Sequence, residues 1–323
     1  MKKALVLGAS GAMGYAIVKV LVEKGVHVRA FARHRDKLER LFGNYKDVEI
    51  VTGDVLRRND LEAAVAGCDV VFHSINIPYQ YWEKQLLDMM ENVLEVVKAN
   101  AAKLAMVDNI YAYGRGVGGK VTESTPKQPH TKKGKLRLKQ LELIKNSGVA
   151  YLIAHFPDFY GPNAEGTMLG TTLPNVLRNK NSMFVGNQKV AREHIFTSDG
   201  AKAIVTLALT EKAYGQTWNI PAYDTITGEE LIELLREITG YRKKVITIRK
   251  GMIQLLGLFN PFMKEVVEMF YLMEEPVVLD GSKYKKEIGP LPRTPYKEGL
   301  KQTVDWMRTI EASEEDQKVE KPV

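Results

Sequence analysis

The sequence predicts an α/β protein: a doubly wound parallel sheet with a smaller α/β part toward the C-terminus. Three observations lead there. Residues 2–7 form an apolar run of strand length that passes straight into Gly8-Ala9-Ser10-Gly11-Ala12-Met13-Gly14, and then into a helical pattern with Ile17, Val18, Leu21 and Val22 on one face. Strand-like runs alternate with helical patterns through the first half of the chain, as in a parallel sheet with crossover helices. Gly8–Gly14, Arg33, Asp54 and the run Ser74-Ile75-Asn76 all fall at carboxyl ends of strands, where open α/β sheets bind ligands.

In the opening turn, Gly8 permits the sharp bend, Gly11 lets backbone approach a pyrophosphate, and Gly14 lets the helix pack on the strand. The backbone of Ser10, Ala12 and Met13 then meets the phosphates at the helix N-terminus. After a stop at Glu23-Lys24-Gly25, residues 26–32 read as the second strand and 37–42 as a short helix. An acid at the end of that strand would accept from a free ribose 2′-hydroxyl. Arg33 stands there instead, with Arg35 close by and Asp36 a step too far into the helix, which favours a 2′-phosphate and therefore NADP over NAD.

Residues 48–51 form the third strand, ending in Gly53-Asp54-Val55, and 56–66 a helix with Asp60 as its expected N-cap. Strand 68–73, helix 81–100 and strand 104–107 follow. In the second half, 149–155, 190–197, 217–220 and 244–248 read as strands, and 163–181 as loop and helix over a cleft. Asp199 is expected to cap helix 200–209, and helices 228–239 and 297–310 close the chain. This gives a dinucleotide-binding unit over 1–160, its sheet completed by segments within about 190–220, then a substrate-binding part over 161–310 and a flexible tail over 311–323.

The net charge of +7 suits an anionic ligand but is dispersed over 33–40, 127–139 and 241–250, without an aromatic-interleaved basic motif, so nucleic acid is not the expected partner. The single cysteine, Cys68, excludes an internal disulfide and fits a reducing, cytoplasmic setting. Residues 252–273 are Met-rich, but Asn260-Pro261, Lys264, Glu265 and Glu268 interrupt them, so they read as paired amphipathic helices and no membrane association is expected. The histidines lack metal-ligand spacing, so no metal is expected, and no nucleophile elbow suggests a hydrolase.

With these motifs the chain, over about residues 1–310, resembles the extended short-chain dehydrogenases/reductases, the superfamily of NAD-dependent sugar epimerases and dehydratases. Carrying the resemblance, besides the glycine turn, are Gly53-Asp54-Val55, the strand Gly67-Cys68-Asp69-Val70-Val71-Phe72-His73, Tyr113-Gly114, and Phe159-Tyr160-Gly161-Pro162. The segments Arg192-Glu193-His194-Ile195, Trp218-Asn219-Ile220 and Ile226-Thr227-Gly228-Glu229-Glu230-Leu231 add to it. It implies a Rossmann domain, an adenine contact from Asp54, and a homodimer through helix 81–100 and the core helix that follows.

It also implies a Tyr acid/base with a Lys four residues on, and a Ser or Thr that polarises the substrate. Here the resemblance breaks: no tyrosine lies between Tyr113 and Tyr151, the Tyr and Lys places hold Lys133 and Arg137, and the Ser pair is Asp108-Asn109. Candidate catalytic groups are therefore Asp108 as base, Tyr113 or Tyr111 as acid, Lys133 or Lys132 in a desolvated pocket, and Arg137. Asn109, Asp158 (where sugar-nucleotide members carry Asn) and Arg192 are the substrate-binding candidates. The small-molecule substrate is expected to be less polar than a nucleotide sugar. Three readings stay open: an NAD(P)-dependent epimerase, dehydratase or reductase with a rebuilt site; a non-catalytic NADP-binding redox sensor; or a protein whose basic segment 127–139 forms a nucleic-acid or anionic-surface patch.

Overall fold

The computed structural model describes residues 1–319; residues 320–323, part of the expected tail, lie outside them. The chain runs β1 (Lys3–Leu7), α1 (Ala12–Glu23), β2 (His27–Ala32), α2 (Arg35–Phe42), β3 (Val48–Thr52), α3 (Arg58–Val65), β4 (Val70–His73), α4 (Trp82–Ala99) and β5 (Lys103–Asn109). It continues through β6 (Lys120–Val121), α5 (Lys132–Asn146), β7 (Tyr151–Phe156), β8 (Asp158–Tyr160), α6 (Leu173–Leu177), β9 (Ser182–Val185), β10 (Arg192–Phe196), α7 (Thr197–Leu209) and β11 (Gln216–Asn219). The last elements are β12 (Thr225–Ile226), α8 (Gly228–Thr239), β13 (Val245–Ile248), α9 (Lys250–Gly257), α10 (Pro261–Met269), β14 (Val278–Leu279), α11 (Ser282–Glu287) and α12 (Tyr296–Val319).

Seven strands form one parallel sheet in the order β11-β7-β5-β4-β1-β2-β3. The chain winds outward from β1 in both directions, so the order reverses between β1 and β4, and a crevice opens there beyond the carboxyl ends. Parallel strands buried on both faces are apolar throughout, as Ala4–Leu7 and Val70–Phe72 show. One core lies between the sheet and α1 and α7; the other, on the opposite face, packs Leu5, Leu7 and Met106 against Leu86, Met90 and Val93 of α4. The later elements form short sheets, β12-β10-β8 and β13-β9, with α8 and α12 packed beside them.

Two expected caps are not caps. Arg57 precedes α3, and Asp60 instead accepts the Asp54 N–H at 2.8 Å, bracing the end of β3. Phe196 precedes α7, and the Asp199 carboxylate accepts the Thr294 N–H (2.6 Å) and hydroxyl (2.9 Å), tying the C-terminal segment to the sheet. Each carboxylate serves a tertiary bond that a cap rule cannot see. Helix α8 has the expected bounds, with a capping box between Thr227 and Glu230. Helix α12 continues past Ile310, where the apolar periodicity ends, through the strong helix formers of Glu-Ala-Ser-Glu-Glu.

Three titratable groups are buried against their charged forms. Burial pushes the His73 imidazole on β4 down to about 4 and the His194 imidazole on β10 down to about 3, whereas burial pushes the Glu193 carboxyl up to about 7. On unfolding at pH 5–6 each histidine takes up a proton and Glu193 releases one. From these three groups the unfolded state binds a net excess of about one proton, a contribution that loses roughly 1.4 kcal/mol of stability per pH unit as pH drops through this window, and the raised Asp158 carboxyl opposes it. Urea denaturation should show a pH slope of stability over pH 5–6 that is smaller in His73→Phe than in the wild type by about one proton's worth. An unchanged slope in the variant would mean that His73 is not held neutral.

Candidate functional site

At the crevice, the turn after β1 is held by backbone. The Gly8 and Ala9 N–H groups donate to Phe31 O at 3.0 and 3.2 Å, joining it to the end of β2. Gly8 has φ +81°, and a Cβ there would lie 3.1 Å from the backbone of Ser74 and Ile75. A Cβ on Gly14 would sit 2.1 Å from Gly8 O, so only glycine lets α1 lie this close to β1. Gly11 is the N-cap of α1 and no side chain caps it. The first-turn N–H groups of Ala12, Met13 and Gly14 thus have no intrahelical acceptor, and with the helix dipole they suit a pyrophosphate. The Met13 side chain itself is buried in the core.

The rest of the expected cofactor set surrounds this turn with different duties. Arg33 is exposed two residues beyond Phe31, beside the turn, whereas Arg35 is engaged with Glu39 at 3.0 Å. The Asp54 carboxylate accepts the Leu56 N–H at 3.0 Å, and Val55 is buried. Ser74 donates its hydroxyl to Leu7 O (2.8 Å), so it clamps β4 to β1; Ile75 is half-buried against Gly8, and Asn76 is exposed. Sequence reasoning missed Asn163, whose side-chain amide donates to Ser10 O at 3.1 Å from a left-handed backbone (φ +59°). An Asn-Ala pair just after Gly161-Pro162 was the available signal.

The expected catalytic residues do not come together at one open site. Lys133, in the first turn of α5, is buried, and its ammonium lies between Glu265 and Glu268 of α10, with Glu268 at 2.7 Å. Lys132 is exposed and pairs with Glu83. One turn on, Arg137 is buried with its guanidinium 4.4 Å from the Trp82 ring, 2.8 Å from Gln140 Oε1 and 3.5 Å from Asp108 Oδ1. The other Asp108 oxygen is 3.0 Å from His155 Nδ1. Burial pushes the Asp108 carboxyl up, but the His155 hydrogen bond and the Arg137 charge outweigh it and hold the carboxyl below the ordinary range. Asp108 and His155 are cross-strand neighbours on the sheet face covered by α4 and α5, so Asp108 is sealed away as a base.

Tyr113 is buried too. Its hydroxyl donates to Asn219 Oδ1 (2.8 Å) at the end of β11, four strands from β1, or roughly 19 Å at parallel spacing. Burial pushes its phenol well up. Tyr111 is different. Half-buried after β5, its hydroxyl lies 2.6 Å from that of Tyr79, which sits in the single turn between β4 and α4. Burial raises both phenols, and the half-buried Asp158 carboxylate adds to the effect on each. Lys133 Nζ is 5.3 Å from the Tyr79 ring centre. Burial raises the Asp158 carboxyl, with Arg192 opposing the shift. Arg192 is buried, bonded to Val185 O at 3.1 Å and to the Met273 sulfur, with Phe184 beneath it. Asn109 accepts the Tyr111 N–H at 3.1 Å and so orients that turn. The protonatable groups gathered at the ends of β4, β5 and β7 are thus Tyr79, Tyr111, Asp158 and Lys133. Tyr79 was not singled out by sequence because it belongs to no motif. Among the described residues no cluster fits a metal ion.

Comparison with known proteins places the chain in a family and a fold. Residues 8–195, more than half of the chain, match the family described as NAD(P)H-binding. The UDP-N-acetyl-alpha-D-glucosaminuronate decarboxylase of Bacillus cytotoxicus is 23% identical over 334 residues, covering 96% of this chain and 99% of that protein. Among solved structures, the UDP-glucuronic acid 4-epimerase of Bacillus cereus in complex with NAD superposes with a TM-score of 0.79 at 19% identity, over 95% of this chain and 99% of that one. The dTDP-glucose 4,6-dehydratase of Bacillus anthracis, also with NAD, gives 0.79 at 18% identity, over 97% and 98%. The chain belongs to the NAD(P)H-binding family and has the fold of the extended short-chain dehydrogenases/reductases of epimerase/dehydratase type.

Proposed function

We propose that the protein is an NAD(P)-dependent enzyme of epimerase/dehydratase or reductase type, whose proton-transfer group is the Tyr111–Tyr79 hydroxyl pair. The observation that carries this reading is the 2.6 Å contact between the two phenols at the ends of β4 and β5, beside the crevice, while the usual Tyr and Lys places hold an ion-paired lysine and a buried arginine. A bound nicotinamide supplies hydride transfer at its ring carbon. Tyr111 then gives a proton to, or takes one from, the oxygen of the carbon that gains or loses the hydride, and Tyr79 hydrogen-bonds whichever form of Tyr111 results. With both phenols raised, the pair stays protonated at neutral pH, so Tyr111 meets a substrate oxygen as a hydrogen-bond donor. Asp158 and the oriented Asn109 turn bind the substrate, and Arg192 holds the wall behind Asp158.

The phosphate-binding turn with exposed Arg33 beside it supports NADP over NAD. The curated relative and the solved neighbours named above act on or bind nucleotide-linked sugars, so a sugar nucleotide and a simpler carbonyl compound are the two substrate classes to assay.

Isothermal titration should show Arg33→Glu weakening NADPH binding tenfold or more while leaving NADH within twofold. Equal losses for both cofactors would remove the 2′-phosphate role. Tyr111→Phe should lower kcat by about 10²–10⁴ with the cofactor Kd unchanged. Tight cofactor binding without wild-type turnover of either substrate class would favour the redox-sensor reading instead. Gly11→Ala, where a new Cβ would meet Gly8 O at an ordinary 3.4 Å, should keep the urea midpoint yet lose cofactor affinity; Gly14→Ala should lower the midpoint itself.

A further inference from the structure

We infer that the α9–α10 hairpin is a docking surface for an anionic lipid membrane, independent of how the active site works. Helix α9, the short turn after it and the start of α10 expose Met252, Leu255 (63%), Leu256, Leu258 (75%) and Phe259 (85%) to solvent. The inner side of the hairpin is anchored: Ile253 is buried with Met269 and Phe270, and a Cβ on Gly257 would lie 3.1 Å from the Lys264 backbone. The apolar surface extends along the neighbouring sheet. Met183 of β9 and Ile246 of β13 are paired in register, both are exposed, and they lie on the strand face that carries Val185 and Ile248, which pack against the Ile253 cluster. A run of exposed large apolar side chains such as Leu255, Leu256, Leu258 and Phe259 marks an interaction site.

Charge identifies the occupant. From Tyr241 to Lys264 the chain carries six cations, Arg242, Lys243, Lys244, Arg249, Lys250 and Lys264, and no Asp or Glu. All six are exposed. An exposed apolar run flanked along the chain by exposed lysine and arginine matches the boundary between acyl chains and anionic headgroups, where side chains such as Leu and Phe sit below the phosphate level. A second copy of this chain would bring two acid-free cationic rims together. A nucleic acid would satisfy the cations but leave Leu255, Leu258 and Phe259 in water. No helix among the described residues is long and apolar enough to cross a membrane, so the contact is peripheral.

Co-sedimentation of the full chain with phosphatidylcholine vesicles, with and without phosphatidylglycerol, tests this. The wild type should pellet with the anionic vesicles at low salt, much less with phosphatidylcholine alone, and be released as salt screens the headgroups. Leu258→Asp/Phe259→Asp alters only exposed side chains. It should keep the circular dichroism spectrum and cofactor affinity of the wild type while losing vesicle affinity at least tenfold. Arg249→Glu/Lys250→Glu should abolish the preference for anionic vesicles. No binding of the wild type to either vesicle would overturn the inference, as would undiminished binding by the aspartate variant. So would a light-scattering dimer that the aspartate variant dissociates, because the occupant would then be a second copy.

Discussion

Helix α1 approaches β1 more closely than any side chain would permit, and the geometry of the crevice follows from that contact. The space a Cβ would take at Gly14 is filled by the Gly8 carbonyl, so the helix axis is fixed against the strand. Its N-terminus then stands at the point where the sheet order reverses, between β1 and β4. The same constraint reaches outward through backbone. Gly8 and Ala9 bond to Phe31, which places the end of β2 and Arg33 beside the turn, and Ser74 bonds to Leu7, which holds the end of β4 against it. Little of this depends on side-chain chemistry. The shape of the turn is therefore set by backbone and by the absence of a Cβ, not by the side chains that line the crevice.

The changed groups obey the electrostatics of burial. An arginine in place of the usual lysine at Arg137 cannot remain buried without a counter-charge, and an aspartate at position 108 supplies one at 3.5 Å, with His155 satisfying the other carboxylate oxygen. A lysine in the tyrosine place meets the same demand through Glu265 and Glu268. Asp108, Lys133 and Arg137 thus belong to two self-consistent buried assemblies, and in the function proposed above the acid/base role falls to the paired phenols of Tyr79 and Tyr111.

The turn, the alternating strands and helices, and the residues at strand ends were legible because each is a local pattern: an apolar run with its glycine signature, or a period of 3.6. The candidate centre was not, because its contacts cross the chain. Lys133 meets Glu265 across 132 residues and Asp108 meets His155 across 47. Tyr79 reaches Tyr111 from a turn that no periodicity marks. Tyr113 carried the stronger motif, next to Gly114, yet it packs inward onto Asn219, while Tyr111, two residues earlier, is half-buried and meets Tyr79. Asp60 and Asp199 misled for a related reason: a carboxylate in a first helical turn serves a distant N–H as readily as its own helix.

Helix α10 joins the interior of the molecule to its most exposed apolar surface. Its acids begin at Glu265, immediately after the last cation of the acid-free stretch, and Glu265 and Glu268 face inward onto Lys133. Displacing α10 would leave the Lys133 ammonium, only 2% exposed in its side chain, without its two carboxylates. Breaking such a buried pair costs about 3 kcal/mol or more. Few apolar contacts of comparable weight hold the tip itself, since Leu258 and Phe259 face solvent. The inward ion pairs and the apolar contacts of Ile253, Met269 and Phe270 therefore act together to hold the inner side of the hairpin, while its leucines and Phe259 stay outside both.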